Sequence, residues 1–157
     1  MDNFTIINLQ ALTGTIAIIL GFKYWIQPRI SNLSLHEALL PFVFLNTFRF
    51  MAKEQFYDGF PTEFLTTVGL LDFTTALLAI ITAIALKNKW SFAIPLVWIF
   101  NIVGFGDLIS AFPQFFGLKL YDQNLGFIWL MFVTYGLATF LSHIYIFIRL
   151  FKNLKKG

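Results

Sequence analysis

The chain has 157 residues, of which 58% are hydrophobic and only 12% are charged. A soluble globular domain is closer to half apolar and one quarter charged, so this composition excludes an ordinary soluble domain and predicts a membrane protein. The net charge of +3 comes without a basic stripe or a zinc-ligand spacing, so no nucleic-acid partner is predicted, and the absence of cysteine excludes disulfides and thiolate metal sites.

Five apolar blocks follow one another along the chain, each close to the length of about 20 residues that a helix needs to cross a bilayer. We predict an all-α polytopic membrane protein: a bundle of five transmembrane helices in a single membrane domain that covers residues 1–157. The first block is kept as a helix because the start, Met-Asp-Asn-Phe, lacks the positive region of a cleavable signal. The predicted helices cover approximately residues 4–22, 35–52, 64–86, 91–112 and 125–150.

The second block is the weakest of the five, because it is short and contains Pro41 and Arg49. Ser34 and Glu37 nevertheless form a capping-box pattern, which satisfies free amides at a helix start. A helix from Leu35 has about 18 residues and a length of about 27 Å, which is enough to span. Pro41 removes one backbone hydrogen bond and predicts a kink.

Basic residues fall mostly on one side of this arrangement. Eight of the 11 Lys and Arg residues lie in the first and third connections or at the C-terminus, whereas two lie in the second and fourth connections. The positive-inside rule then predicts the N-terminus outside and the C-terminus in the cytoplasm. This bias agrees with five spans, since removing the second helix would put acidic and basic connections on the same side.

Small residues at helical spacing mark the faces through which membrane helices pack. Four of the predicted helices carry such a stripe, and in each case polar side chains lie on the same face. The second helix has no small stripe, but two of its polar residues share a face. The polar residues are Gln10 in the first helix, Asn46 and Arg49 in the second, Asp72 in the third, Asn101 and Asp107 in the fourth, and Thr139 and His143 in the fifth.

The third and fourth helices also share a local string, G-x-x-D-x-x-[ST]-A, at residues 69–76 and 104–111. Internal repeats are frequent in transporters. Four matched positions in helices rich in small residues are explained more simply by the common needs of packing.

Three ionisable residues, Arg49, Asp72 and Asp107, lie inside otherwise apolar segments at predicted depths of about 5 to 12 Å from the outer helix ends. Charges in hydrocarbon cost several kcal/mol and usually mark a pathway, a ligand site or an internal ion pair. The arginine fork matches carboxylate geometry and supplies the counter-charge for the aspartates. We predict a ligand- or ion-binding layer made of Asp72, Asp107, Arg49, Asn46, Asn101 and Gln10.

Two catalytic or cofactor hypotheses compete with this binding layer. The string from Gly104 to Asp107 resembles the G-x-G-D string of intramembrane aspartyl proteases, which pair it with a second membrane aspartate, a role open to Asp72. The resemblance covers four residues, and in presenilin-type enzymes the string lies near the cytoplasmic start of its helix rather than the outer end, so an enzyme is not the preferred interpretation. His36 and His143 differ in depth by about two turns, which favours packing roles over haem ligation. The sequence identifies no cofactor.

The predicted function is the binding or translocation of a proton, a cation or a small polar solute at an outward-facing site in a bacterial cytoplasmic (inner) membrane. Two alternatives stay open. In the first, the chain is a structural or accessory subunit in which the same charges lock helix packing. In the second, it is a receptor for a lipophilic ligand lodged among the 21 phenylalanines. The lipid bilayer is the predicted partner, and a homo-oligomer or a larger membrane complex is left open.

Overall fold

The computed structural model describes residues 1–51, 61–123 and 125–155, and within these ranges every regular element is helical. Each of the five predicted blocks contains one long helix. In chain order these are α1 (Asn3–Ile30), α2 (Leu35–Leu45), α3 (Thr62–Lys87), α4 (Ala93–Gly117) and α5 (Phe127–Leu154).

Four of these helices, α1, α3, α4 and α5, are long and apolar enough to cross a membrane. The fold is therefore that of an all-helical, membrane-embedded protein. The remaining helix, α2, has 11 residues and continues for six more as the 3₁₀ helix Asn46–Met51. Part of the predicted second helix thus has a tighter geometry than an α-helix, and its last predicted residue, Ala52, lies outside the described residues.

The predicted capping box at the start of α2 is confirmed. The Glu37 amide donates to Ser34 Oγ at 3.4 Å, and the Ser34 amide donates back to Glu37 Oε2 at 3.2 Å. The α-helical conformation continues through Pro41 and gives way only at Asn46. The change of helical geometry therefore comes five residues later than the proline at which the kink was predicted.

Two helices continue beyond their predicted ends through a proline. The first runs eight residues past Phe22, through a π-helical turn at Phe22–Ile26 and a last turn at Gln27–Ile30. Pro28 does not stop it, because it lies in the first turn of that last segment, where a proline needs no amide hydrogen bond. The fourth runs through Pro113 to Gly117, and such prolines are tolerated in membrane helices because neighbouring groups satisfy the freed backbone atoms.

The buried side chains form two apolar clusters with a polar layer between them. Along α3, from its first residue to its last, one apolar cluster comes first, then the polar layer, then the other apolar cluster. Along α4, which runs in the opposite direction, the order is reversed. Cluster A comprises Leu39, Val43, Ala79, Ala83, Ala85, Leu86, Ala93, Val97, Phe100, Ile146 and Leu150. Cluster B comprises Ile7, Phe64, Val68, Phe115, Leu120, Leu125 and Ile128. The polar layer comprises Asn46, Arg49, Asp72, Thr75, Asn101, Asp107, Thr139, Ser142 and His143.

The first helix lies at the periphery of the bundle, and between Asn3 and Ile30 only Ile7 and Ile30 are buried. Its start is capped by the Asp2 carboxylate, which accepts a hydrogen bond from the Thr5 amide at 2.7 Å. That bond lowers the pKa of Asp2. Farther along, a side chain on Gly14 would come within 2.7 Å of the Val133 carbonyl oxygen on α5, so the close approach of α1 to α5 requires a glycine.

Gly104 fills the tightest position of the polar layer. A Cβ atom there would lie 2.6 Å from His143 Cε1, 2.8 Å from His143 Nε2 and 2.8 Å from Thr75 Cγ2. The glycine therefore allows α3, α4 and α5 to meet at one level. Two residues along the same helix, Gly106 faces open space, and a Cβ atom there would have no neighbouring atom of the described residues within 4 Å.

We expect Gly104→Ala to lower the free energy of unfolding by about 1–3 kcal/mol, because it overpacks a filled interior. The matched control is Gly106→Ala, which should leave the free energy of unfolding unchanged or raise it by up to about 1 kcal/mol, because alanine has the higher helix propensity. Thermal unfolding of the detergent-solubilised protein measures both. Equal melting temperatures for the two variants would contradict the packing described for Gly104.

Candidate binding site

Arg49 reaches the bundle interior from the 3₁₀ helix that follows α2. Because a 3₁₀ helix has three residues per turn, Asn46 and Arg49 lie on one face. The amide of the Asn46 side chain donates to the Phe42 carbonyl at 2.9 Å and to Ser142 Oγ at 3.0 Å. The Tyr135 hydroxyl donates to the Leu45 carbonyl at 3.0 Å. Two contacts from α5 thus hold the junction from which Arg49 projects.

The guanidinium of Arg49 joins three structural elements. Its Nε donates to Asp72 Oδ1 on α3 at 2.5 Å, and its Nη2 forms ion pairs with Asp72 Oδ1 and with Asp107 Oδ2 on α4. Its Nη1 donates to the Gly104 carbonyl at 3.2 Å. The Arg49 side chain is 3% exposed and that of Asp107 is 1% exposed. The structure therefore brings the three predicted charged residues into one buried cluster, the charged triad.

The charges of the triad do not cancel when all three residues are ionised. With both carboxylates ionised, one guanidinium faces two negative charges, which leaves a formal net charge of −1. Among the residues whose burial the structure describes, Arg49 is the only buried Lys or Arg. No second fixed cation compensates the extra carboxylate within that part of the chain, and an uncompensated charge in an apolar interior is unfavourable.

Several buried acceptors in the polar layer also lack a donor from the described residues, among them Asp107 Oδ1, Asn46 Oδ1 and His143 Nε2. The histidine is an acceptor at that atom for a geometric reason. The Asn101 side-chain NH₂ donates to the His143 carbonyl at 3.2 Å, so the Asn101 Oδ1, 2.7 Å from His143 Nδ1, accepts a hydrogen bond from the Nδ1–H and leaves Nε2 of the neutral ring as an acceptor. Of these three atoms, only Asp107 Oδ1 belongs to a residue that also lines the cavity of the bundle, where a ligand that brings hydrogen-bond donors would meet the Asp107 carboxylate.

A cavity of about 710 Å³ extends from the triad into the half of the bundle that contains the N-terminus. Arg49, Asp72 and Asp107 are its only charged lining residues among those described. Most of the remaining wall is aliphatic or aromatic, with few polar groups. Its phenylalanines are Phe48, Phe64, Phe112, Phe115, Phe116, Phe127 and Phe132.

The other predicted site residues lie at different distances from this centre. Asn46 is in the same 3₁₀ helix as Arg49, and Asn101 is buried in the polar layer, where it pairs with His143. Gln10 lies on an exposed face of α1 and accepts a hydrogen bond from the Trp129 indole N–H. It is not among the cavity-lining residues, whereas Asn8 is.

Sequence reasoning missed Tyr135, which lines the cavity and anchors the end of α2. The reason is the π-helical turn at Phe132–Gly136 in α5. A π-helical turn holds more residues than an α-helical one, so a face inferred from regular α-helical spacing is shifted there. His143, predicted as a packing residue, is completely buried in the polar layer, where its ring is hydrogen-bonded to Asn101. No group of three His, Cys, Asp or Glu able to hold a metal ion occurs in the described part of the chain.

Comparison with known proteins places the chain in a family. Residues 6–151 match a family described as a domain of unknown function, DUF8737. The chain belongs to the DUF8737 family. No curated protein and no solved structure matches it at a significant level. Because the family description names no activity, the function must be argued from the site itself.

We expect Arg49→Leu to lower the free energy of unfolding by about 3–5 kcal/mol, the cost of breaking a buried ion pair in soluble proteins. Asp72→Asn and Asp107→Asn should cost less, because an amide keeps the shape and can still hydrogen-bond. Denaturant titration in detergent measures these values. The control is Lys152→Leu, which removes an exposed charge at the end of α5. Equal stability of the Arg49 and Lys152 variants would show that the triad does not stabilise the fold.

Proposed function

We propose that this protein is a five-span membrane protein, with its N-terminus outside and its C-terminus in the cytoplasm, that binds a cationic solute at the charged triad. We place it in a bacterial cytoplasmic membrane. The observation that carries the binding proposal is that Asp107 lines the cavity and that its buried Oδ1 has no donor among the described residues, in a triad whose formal net charge is −1 when both aspartates are ionised.

The length of the second helical segment supports a fifth span. Its 11 α-helical residues rise about 1.5 Å each and its six 3₁₀ residues about 2.0 Å each, which together give about 28 Å. That is close to the hydrocarbon thickness of about 30 Å. The excess of basic residues in the first and third connections and at the C-terminus supports the orientation.

The two halves of the bundle, one on each side of the polar layer, support binding of a cation more than its translocation. In the proposed orientation the cavity lies in the outer half of the bundle and extends inward to the charged triad. Below the polar layer, cluster A closes the bundle with side chains that are at most 9% exposed. A cation that enters the cavity meets the triad and then an apolar barrier, so translocation would require cluster A to open.

A purely structural triad would have a different chemistry. A single carboxylate is enough to neutralise a buried arginine. Here a second buried carboxylate, that of Asp107, contacts the same guanidinium, and one Asp107 oxygen is left unpaired within the described part of the chain. A bound cation satisfies that oxygen and cancels the excess charge. The structural role of Arg49 and a ligand-binding role of Asp107 are therefore compatible.

The topology can be tested with single-cysteine variants, because the natural chain contains no cysteine. We expect Ser31→Cys and Lys89→Cys to be labelled from the cytoplasm, and Thr62→Cys and Asp122→Cys from outside, by an impermeant maleimide in intact cells. Labelling of Ser31→Cys and Thr62→Cys from the same side would show that α2 does not span.

The binding proposal can be tested with methylammonium as the probe. At ten times its dissociation constant it should stabilise the folded protein by about 1.4 kcal/mol, seen as a rise in melting temperature that follows the logarithm of the methylammonium concentration above the dissociation constant and exceeds the rise in N-methylglucamine chloride of equal ionic strength. Asp107→Asn should abolish this rise, while Asp122→Asn, a change at an exposed residue, should preserve it. A rise no larger than that in N-methylglucamine chloride, or one that survives Asp107→Asn, would contradict binding at the triad.

A further inference from the structure

The cavity has two chemically distinct parts. At one end lie the charges, Arg49, Asp72 and Asp107; the walls that lead to them are formed by phenylalanine and aliphatic side chains. This separation matches a ligand that is itself divided into a charged group and an apolar body. A volume of about 710 Å³ lies within the range of about 300–1,000 Å³ that is usual for sites of drug-sized molecules.

The charged end selects against anions. The guanidinium donors of Arg49 are already directed at Asp72, Asp107 and the Gly104 carbonyl. A ligand carboxylate or phosphate would therefore add a further negative charge beside two carboxylates, with at most one of the five guanidinium N–H groups left to receive it. An ammonium group brings N–H donors to the Asp107 carboxylate, which lines the cavity, and cancels the formal net charge of −1.

The cavity walls are unsuited to a small inorganic cation as the only ligand of the cavity. Calcium prefers six to eight oxygen ligands and magnesium a near-octahedral oxygen shell, which aromatic and aliphatic walls do not provide. Aromatic faces do attract organic cations, at centroid distances of up to about 6 Å. An organic amine therefore satisfies the carboxylates with its head and the walls with its body.

The cavity also adjoins the apolar surface of the bundle. Phe48, Phe112, Phe127 and Leu130 line it and are at the same time 42%, 43%, 69% and 51% exposed. Ala11 brings the peripheral helix α1 into the same wall. A molecule that partitions into the bilayer can thus reach the cavity from the lipid side.

We infer that the ligand of this site is an amphiphilic amine, with its ammonium group against Asp107 and Asp72 and its hydrocarbon or aromatic body in the phenylalanine-lined cavity. This inference rests on the proposed function, which requires only that a cation binds at the triad. It adds the chemical class of the ligand and the direction in which its body lies.

A series of n-alkylammonium ions from methyl to dodecyl tests the inference. The affinity of the nanodisc-embedded protein is expressed relative to the amine concentration in water. It should rise about fourfold for each added methylene, the equivalent of about 0.8 kcal/mol, and should stop rising when the alkyl chain fills the cavity. Partitioning into empty nanodiscs should rise without such a limit, which separates binding from lipid uptake. The neutral n-alkanol of the best amine's length should bind at least about tenfold more weakly, a loss of about 1.4 kcal/mol.

A cavity-filling variant with a matched control locates the apolar body. Ala11→Phe, in the cavity wall, should weaken binding of the longest accepted amine by more than about tenfold, the equivalent of two lost methylene contacts, and leave methylammonium affinity unchanged. Ala17→Phe makes the same change at an exposed position outside the cavity wall of the same helix and should alter neither. Ala111→Phe is a second wall variant on α4 for use if Ala11→Phe fails to fold.

The outcomes separate the two proposals. If methylammonium binds but chain length has no effect, or if Ala11→Phe, or Ala111→Phe in its place, behaves like Ala17→Phe, the amphiphile inference is wrong and cation binding stands. If the alkanol equals the amine, the cavity is an apolar pocket without a cation requirement, and the inference is also wrong. If no member of the series stabilises the protein, the proposed function itself fails.

Discussion

The shared ion pair of Arg49 is the interaction on which the rest of the bundle depends. One guanidinium lies between carboxylates from α3 and α4 and is carried by the 3₁₀ helix after α2. In an apolar environment none of these charges is tolerable alone, so the three elements can be arranged only in ways that keep them together. The packing of α5 against the same level, through Ser142 and Tyr135, then fixes the direction from which the arginine enters.

The charged triad divides the interior into two parts with different properties. Cluster A is closely packed and built largely on alanine, valine and leucine, which allow α2, α3, α4 and α5 to approach one another. Cluster B is built around Phe64 and Phe115 and borders the cavity. One half of the bundle is therefore filled by packed side chains, and the other half contains the cavity. The charged triad lies at the boundary, where a rigid support and an accessible volume are both present.

Much of this arrangement could be predicted from the sequence, because it follows from local rules. The apolar blocks predict the helices, the Ser34 and Glu37 pair predicts the start of α2, and the scarcity of charge inside the blocks points to Arg49, Asp72 and Asp107. The two similar strings at residues 69–76 and 104–111 each supply one of the aspartates that meet the same arginine. Charge neutralisation makes such a meeting expected even without a known fold.

The remaining features depend on departures from regular helical geometry, which spacing arguments do not contain. The depth of Gln10 in the first helix predicts a place in the binding layer, but depth does not specify direction, and its side chain contacts Trp129 on the outside. Tyr135 was missed because a π-helical turn shifts the face of α5. The cavity was not predictable at all, since an empty volume arises from the mutual placement of all five helices and not from any one of them.

The position of Arg49 in the chain also has a consequence for how the protein is made. In the proposed topology, α2 reaches the membrane before α3 and α4, which carry the two aspartates. A charge inside an apolar segment raises the insertion free energy, by about 2.5–3.5 kcal/mol at the helix centre and by less near a helix end, where Arg49 lies, and α2 is the shortest of the five helices. In the proposed topology Arg49 gains its counter-charges only when α3 and α4 pack against it, so the second helix depends on segments that enter the membrane after it.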